Sequence, residues 1–281
     1  MILHWLMPEL PEVETTRRGV ATVITGHTLR ELVVRQPRLR WPIPPELPTV
    51  LAGHQVLECT RRGKYLLIHF SHGTQIVHLG MSGSLRRVPS DEPPRLHDHV
   101  DWVFDHATFR LHDPRRFGAV LWHPLENGPL DAHPLLAKLG IEPFDLRFSG
   151  AWLQQQFKGR SAAIKQVLLA GHAVVGVGNI YASESLFRAR INPKVAARRL
   201  SRDRCDRLAE AIKSTLNDAL ASGGSTLRDY VGASGEPGAY FTIHAAVYER
   251  EGQACRVCAT PIKRYVQGQR ATYYCPTCQR Y

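Results

Sequence analysis

The sequence predicts an α+β protein in three parts: a β domain of sandwich or barrel type, a helical domain, and a small cysteine-held hairpin at the C-terminus. Three observations carry this. Between Thr28 and Pro124, β-branched and aromatic residues come in short runs separated by Gly, Pro and Asp, the pattern of successive strands. Beyond Pro143 the apolar residues recur at helical spacing. Near the C-terminus, Cys255-x2-Cys258 and Cys275-x2-Cys278 stand sixteen residues apart, a metal-ligand spacing. The expected boundaries are 1–140, 141–245 and 246–281, in a chain of 281 residues, long enough for two domains and an appendage.

A first helix is expected from Pro11 to Gly26. Val13, Val20, Val23 and Ile24 share a face, and Gly26 stands where a left-handed cap stops the helix. Seven strands are expected over Leu29–Val34, Val56–Cys59, Tyr65–Phe70, Gln75–Leu79, Val100–Phe104, Phe109–His112 and Ala119–Trp122. Arg38 to Pro48, crowded with prolines, reads as an irregular connection. Helices are expected over Ala151–Phe157, Ser161–Ala170, Asn179–Arg188, Ser201–Ala221 and Thr226–Tyr230. The Gly- and Ser-rich stretch Ser222–Phe241 reads as a mobile loop and candidate lid.

Lysine and arginine total 36 against 25 acidic residues, a net charge of +11. That excess suits a polyanion, most simply nucleic acid. No apolar run approaches the ~20 residues of a membrane span, and Met1–Leu6 is too short for a secretory signal. The expectation is a soluble, cytoplasmic protein. In such a compartment the cysteine cluster points to metal, while the isolated Cys59 and Cys205 point to packing or surface.

Met7-Pro-Glu-Leu-Pro-Glu12 carries two readings. One is a helix start, with Pro11 and acidic residues in the first turn. The other is chemical. A proline freed of the preceding methionine has a secondary amine near ~8, about a quarter neutral at pH 7.5, against about a thousandth of an ordinary lysine. A neutral amine attacks electrophilic carbon, and neighbouring carboxylates can move the protons.

Three turn clusters, Arg61-Arg-Gly-Lys64, Gly80-Met-Ser-Gly83 and Asp113-Pro-Arg-Arg-Phe-Gly118, are solvated hairpin ends or tools that clamp phosphates and wedge a base stack. His97-Asp-His99 reads as a polar loop before a strand or half of a metal site. Val174-Val-Gly-Val-Gly-Asn179 opens a helix whose free N–H groups suit a phosphate, or is a plain tight turn. The four cysteines fit one structural Zn²⁺ as thiolates. The insert between them reads as a cationic hairpin with Arg270 near its tip, suited to a DNA groove or to protein contact.

The order of these elements is more telling than any one of them. Pro8-Glu-Leu-Pro-Glu-Val-Glu14, Lys64-Tyr-Leu-Leu67, His78-Leu-Gly-Met-Ser-Gly-Ser-Leu85, His97-Asp-His99, Asp113–Gly118, Val175-Gly-Val-Gly-Asn-Ile-Tyr-Ala-Ser-Glu184 and the four-cysteine finger follow in sequence. From Met7 onward the chain closely resembles the bacterial formamidopyrimidine-DNA glycosylases. The resemblance implies an N-terminal β-sandwich, a helix-two-turn-helix domain and a C-terminal zinc β-hairpin, gripping DNA between them. It implies Pro8 as nucleophile, Glu9 as proton donor and Lys64 as a catalytic lysine, with Arg270 counted among the catalytic set. Met81, Arg115 and Phe117 would fill the gap left by an extruded nucleotide, while His97, Arg116, Asn179, Lys165 and Arg270 would contact the DNA. The expected partner is duplex DNA carrying oxidised purines or abasic sites. The expected cofactor is one structural Zn²⁺, with no organic cofactor, in a monomeric enzyme.

Two features depart from the family pattern. Met1–Leu6 precede the methionine, and Pro8 can attack only if it is the first residue, so translation from Met7 with removal of that methionine is expected. Glu236 stands where relatives carry lysine, and Ala239 looks inserted, which bears on lesion preference. An inactive damaged-DNA-binding module and an oxidised-pyrimidine glycosylase are the rival expectations.

Overall fold

The structure, a computed structural model, describes residues 8–224 and 239–281. The extension Met1–Leu6 with Met7, the helix expected over 226–230 and Glu236 lie outside the described residues, as does most of the expected lid. The chain forms two compact units: one runs to Ala137 and takes in Ser222–Ala239, the other joins Lys138–Ala221 to Tyr240–Tyr281.

In the first unit, helix α1 (Leu10–Ile24) buries Leu10, Val13, Thr16, Val20 and Ile24, a stripe repeating every three to four residues. It ends as its glycine requires: the Thr25 N–H reaches the Ala21 carbonyl at 3.2 Å, and Gly26 takes φ +81°, open at little cost only to glycine.

Eight strands follow: β1 (Glu31–Val34), β2 (Glu58–Arg62), β3 (Tyr65–Phe70), β4 (Gly73–His78), β5 (Ser84–Val88), β6 (Asp98–Val103), β7 (Thr108–His112) and β8 (Ala119–Pro124). They make two antiparallel four-stranded sheets, ordered β1-β6-β7-β5 and β2-β3-β4-β8. Leu66, Ile68, Ile76 and Val77 of one sheet and Val100, Trp102, Phe109 and Leu111 of the other are buried. Each such side chain contributes roughly 1.5–3 kcal/mol of transfer free energy. Trp102 Nε1 of β6 donates to Gln75 Oε1 of β4 at 2.7 Å, so a hydrogen bond joins the sheets through the core.

Two expectations are corrected. Strand β5 was not among the seven strands expected. Its Arg86 and Arg87 interrupt the apolar run, yet Arg86 pairs with Glu92 at 2.9 Å and Arg87 donates to the His106 carbonyl. The proline-rich connection ends in a short helix, α2 (Leu47–Leu51), with Pro48 in its first turn and Leu47 and Leu51 buried on one face. A first-turn proline forfeits no helical hydrogen bond.

In the second unit, α3 (Gly150–Phe157), α5 (Asn179–Arg188) and α6 (Arg202–Ala221) pack together, with α4 (Ile164–Leu169) and the short α7 (Tyr240–Ile243) beside them. Helix α4 is shorter than the expected Ser161–Ala170. A hairpin of β9 (Lys263–Gln267) and β10 (Arg270–Tyr274) completes the unit. Helix α5 is buried on every side from Ile180 to Phe187, so its one carboxylate, Glu184, needs partners. It accepts the backbone N–H groups of Ala246, Val247 and Tyr248 at 2.8, 3.0 and 2.8 Å, fixing the segment that leads into the cysteine module. Among the described residues no helix is long and apolar enough to cross a membrane.

Candidate active site

The N-terminal end of α1 is the helix start its sequence predicts. Glu9 is the helix N-cap, and a reciprocal capping box ties it to Glu12, with the Glu9 N–H reaching Glu12 Oε2 at 2.8 Å. Both glutamates are buried, at 1% and 0% exposure. Pro8 therefore stands directly ahead of a rigid helix start with a buried carboxylate as its next residue. The chain returns here after α6: Gly224, at φ +88°, lies so close that an added Cβ would sit 3.2 Å from Glu12 Oε1.

Lys64 lies in the two-residue turn between β2 and β3, where Arg62 pairs with Tyr65 and Gly63 takes φ +58°. Helix α1 grips this hairpin through Glu14. Arg17 donates to Glu14 and to the Cys59 carbonyl, and Arg61 donates to Glu14 Oε2 at 3.2 Å and to the Gly63 carbonyl at 2.8 Å. Proline-bearing helix and lysine-bearing turn are thus cross-braced.

Burial raises the Glu14 pKa, but hydrogen bonds from Arg17 and Arg18 and the charges of Arg17 and Arg61 outweigh it, taking the group down to about 2. A depressed carboxyl stabilises the fold above its unfolded value of ~4.3 and loses that contribution as pH falls toward the folded value. Acid titration followed by circular dichroism is expected to show wild type losing stability relative to Glu14→Gln between about pH 4.5 and 2. Parallel curves would remove the brace.

The other expected contacts of this unit lie on loops. Met81 is half-buried in the 79–83 turn. That turn is held by His78, which burial brings down to about 4, so its neutral Nδ1 accepts the Gly80 N–H at 3.0 Å. Phe117 is 41% exposed, with the Arg115 guanidinium 4.7 Å over its ring, an exposed cation–aromatic pair suited to stacking. His97 and Arg116, the expected phosphate contacts, have φ of +75° and +56°. Non-glycine residues held there cost about 1–3 kcal/mol each, strain that clusters at functional positions. His97-Asp-His99 is the entry to β6, and among the described residues the cysteines form the one group placed to hold a metal.

In the second unit Asn179 is the first residue of α5, and its Nδ2 donates to the Tyr248 hydroxyl at 3.1 Å. Lys165, expected on the DNA surface, is 1% exposed, and its Nζ donates to the Ala271 carbonyl at 3.0 Å and Thr272 Oγ1 at 2.8 Å. Helix α4 is thereby tied to β10, next to Arg270. Arg270 itself is exposed at the hairpin tip, where Gly268 and Gln269, at φ +54° and +62°, form the turn.

The four cysteine sulfurs lie within 4.8 Å of one another, with Cys255–Cys278 at 3.9 Å and Cys258–Cys275 at 3.4 Å. A tetrahedron with Zn–S legs of ~2.3 Å has edges of about 3.8 Å. Backbone N–H groups of Val257 and Cys278 point at the sulfurs of Cys255 and Cys275, as suits thiolates. Burial and sulfur neighbours push the Cys278 thiol up, while hydrogen bonds from Thr260 bring Cys258 down to about 6. Donor set, size and charge all fit Zn²⁺.

Some functional positions escaped the sequence reading. Asp113, fully buried, and Ser82 link the 79–83 and 113–118 loops. The signal open to the sequence was the acidic residue at the head of Asp113–Gly118, a cluster read for its cations and aromatic. Glu184 is the one carboxylate of α5, a signal that did not tell it from a surface charge. The Glu14–Arg61 brace had no sequence signal, because it joins separate elements.

A helix headed by proline and a buried glutamate, a cross-braced lysine, exposed cationic and aromatic loops and a zinc-binding hairpin define an enzyme built to work on nucleic acid. The chain belongs to the formamidopyrimidine-DNA glycosylase family. Residues 7–120 match the formamidopyrimidine-DNA glycosylase N-terminal domain, 139–231 its H2TH domain, and 252–280 a zinc finger found in FPG and IleRS. The formamidopyrimidine-DNA glycosylase of Bordetella pertussis is 77% identical over 274 residues, covering 98% of this chain and 100% of the relative. The MutM (Fpg) protein of Thermus thermophilus superposes with a TM-score of 0.87 at 39% identity, covering 97% of this chain and 98% of that one. A Lactococcus lactis Fpg variant in complex with Fapy-dG-containing DNA gives 0.89 at 29% identity, covering 98% and 100%. The wild-type Lactococcus protein has also been solved with DNA containing an oxidised pyrimidine.

Proposed function

We propose that this protein is a bifunctional base-excision repair enzyme that removes oxidised purines, 8-oxoguanine and formamidopyrimidines, from duplex DNA and then nicks the strand. It is a DNA glycosylase by family, and the placement of Pro8 directly ahead of the Glu9 N-cap is the single observation that supports the finer reading. In this reading a damaged base is rotated out of the duplex, at a cost of a few kcal/mol. Met81, Arg115 and Phe117 occupy the vacated stack. The neutral Pro8 nitrogen attacks C1′ of the sugar, the C1′–N bond to the base breaks, the base leaves with the proton that the Pro8 nitrogen gives up, and Glu9 delivers the proton that opens the ring. Loss of the ring C–O bond leaves a cationic iminium between Pro8 and C1′. Its positive charge acidifies the C2′ proton, and removal of that proton expels the 3′ phosphate. A second elimination expels the 5′ phosphate, and water releases Pro8. Lys64, His97, Arg116, Asn179 and Arg270 hold phosphates through this sequence, while Zn²⁺ keeps the hairpin folded. The enzyme acts as a monomer in the bacterial cytoplasm.

Borohydride tests this directly, since it reduces an iminium to a stable amine. Duplexes containing 8-oxoguanine or an abasic site are expected to yield a covalent adduct mapping to Pro8. Binding without any adduct would identify a catalytically inactive module. The Lactococcus complex with an oxidised pyrimidine favours a second activity of the same site, so the panel includes oxidised pyrimidines, with faster trapping expected on oxidised purines.

A further inference from the structure

The DNA contacts proposed for the first unit sit on three separate loops: 79–83 with Met81, the turn before β6 with His97, and 113–118 with Arg115, Arg116 and Phe117. A wedge works only if it keeps its shape against the stack it enters, because small misplacements of positioned groups are costly. Three independent loops would not supply that rigidity.

One buried residue touches all three. The Asp113 N–H donates to the His97 carbonyl at 3.0 Å. Its own carbonyl accepts the Arg116 N–H at 3.1 Å and His99 Nε2 at 2.8 Å. Its carboxylate accepts the Ser82 hydroxyl at 2.7 Å through Oδ1 and the Gly118 N–H at 2.8 Å through Oδ2. The Ser82 hydroxyl in turn accepts the Arg115 N–H at 3.2 Å. Asp113 is 0% exposed and Ser82 7%. Backbone contact closes the assembly: a Cβ added to Gly80 would meet the Phe117 carbonyl carbon at 2.4 Å. An aspartate that merely made its own Asp-Pro turn would bond within that turn. This one sends a bond to each of the other loops.

We propose that Asp113, acting with Ser82, is a positioning residue that welds Met81, His97, Arg115, Arg116 and Phe117 into one rigid DNA-reading edge. The proposal rests on the reading of those five residues as DNA contacts. Asp113 reaches no reacting atom. Its effect falls on the opening of the duplex and not on the amine chemistry, and that separation makes it testable.

The experiment compares Ser82→Ala and Asp113→Asn with wild type, in full-length protein beginning at Pro8. Three readouts are taken: single-turnover excision of 8-oxoguanine from duplex, fluorescence of a 2-aminopurine stacked beside the lesion, and borohydride trapping on a single-stranded abasic oligonucleotide. The last needs no base pair opened. Thermal midpoints accompany each variant, and Ser82→Ala, which removes one hydroxyl, is the arm that keeps its fold if Asp113→Asn does not. Duplex excision and the 2-aminopurine change are expected to slow together by about ten- to a hundredfold, with single-strand trapping within about twofold of wild type. Equal slowing on both substrates would reduce Asp113 to a structural residue and overturn the proposal. So would unchanged duplex excision in these variants while Met81→Ala, Arg115→Ala and Phe117→Ala slow it. If those three variants are themselves silent, the wedge reading has failed and takes the proposal with it, a result distinct from failure of the hub alone.

Discussion

Protein whose Pro8 nitrogen is still acylated will excise damaged bases at least about 200-fold more slowly than protein beginning at Pro8, and will give no adduct at that residue. The argument is one of electrons. In a peptide bond the nitrogen lone pair is delocalised into the carbonyl, which is why the bond is planar. That pair cannot also attack C1′. The substitute amine in the first unit is that of Lys64, whose turn is braced to the same helix through Arg61 and Glu14. At pH 7.5 an ordinary lysine is neutral in about a thousandth of molecules, against about a quarter for a free α-amine. The ratio gives the size of the expected loss and the floor of residual activity. Intact mass and single-turnover excision on matched preparations, one retaining Met1 and one trimmed to Pro8, provide the comparison. Equal rates would remove Pro8 as nucleophile and move the search to side-chain amines.

Legibility in the sequence tracked the range of the interaction behind each feature. Gly26, the Gly268–Gln269 turn and the cysteine spacing are local, and each was readable from a few neighbouring residues. Strand β5 was hidden because Arg86 and Arg87 look solvated until Glu92, Asp98 and the His106 carbonyl are found beside them. Helix α2 was hidden because its first-turn proline belongs to a proline-rich stretch whose other members do break structure. Within the site, motif order pointed to Pro8, Glu9, Lys64, Met81 and Phe117. It could not reveal how they are held. The Glu14–Arg61 brace spans 47 positions of sequence, and the Ser82–Asp113 bond spans 31. Lys165 is the instructive case. A lysine in a basic protein reads as a surface cation, whereas burial at 1% and two short hydrogen bonds make it a strut beneath Arg270.

Removing zinc is expected to weaken duplex binding strongly while leaving the amine chemistry in place. From Gln253 to the C-terminus few apolar side chains are buried, chiefly Ile262 and Tyr273 beside Cys255 and Cys275. Such a module cannot offset the entropy of ordering its backbone, at about 1–2 kcal/mol per residue. Ligation of a structural zinc supplies about 10–16 kcal/mol. Its anchors to the rest of the unit include Gln279 Nε2 to the Ile191 carbonyl at 2.9 Å, Asn192 Nδ2 to the Gln279 carbonyl at 3.2 Å, the Arg280 carbonyl accepting from the Asn192 N–H at 3.2 Å and from Arg204 at 3.0 Å, and the two Lys165 bonds to β10. Each hydrogen bond contributes about 0.5–1.5 kcal/mol net, so together they fall short of the metal. Chelation, or Cys258→Ser, therefore frees the turn that aims Arg270. Duplex affinity is expected to drop at least about a hundredfold, roughly 2.7 kcal/mol, and to return when Zn²⁺ is added back to the chelated protein. Trapping on a single-stranded abasic oligonucleotide, which calls on Pro8 in the other unit, is expected to survive both treatments. Zinc-free protein that held its duplex affinity would show the hairpin to be folded by its own side chains, and the cysteines would then need another explanation.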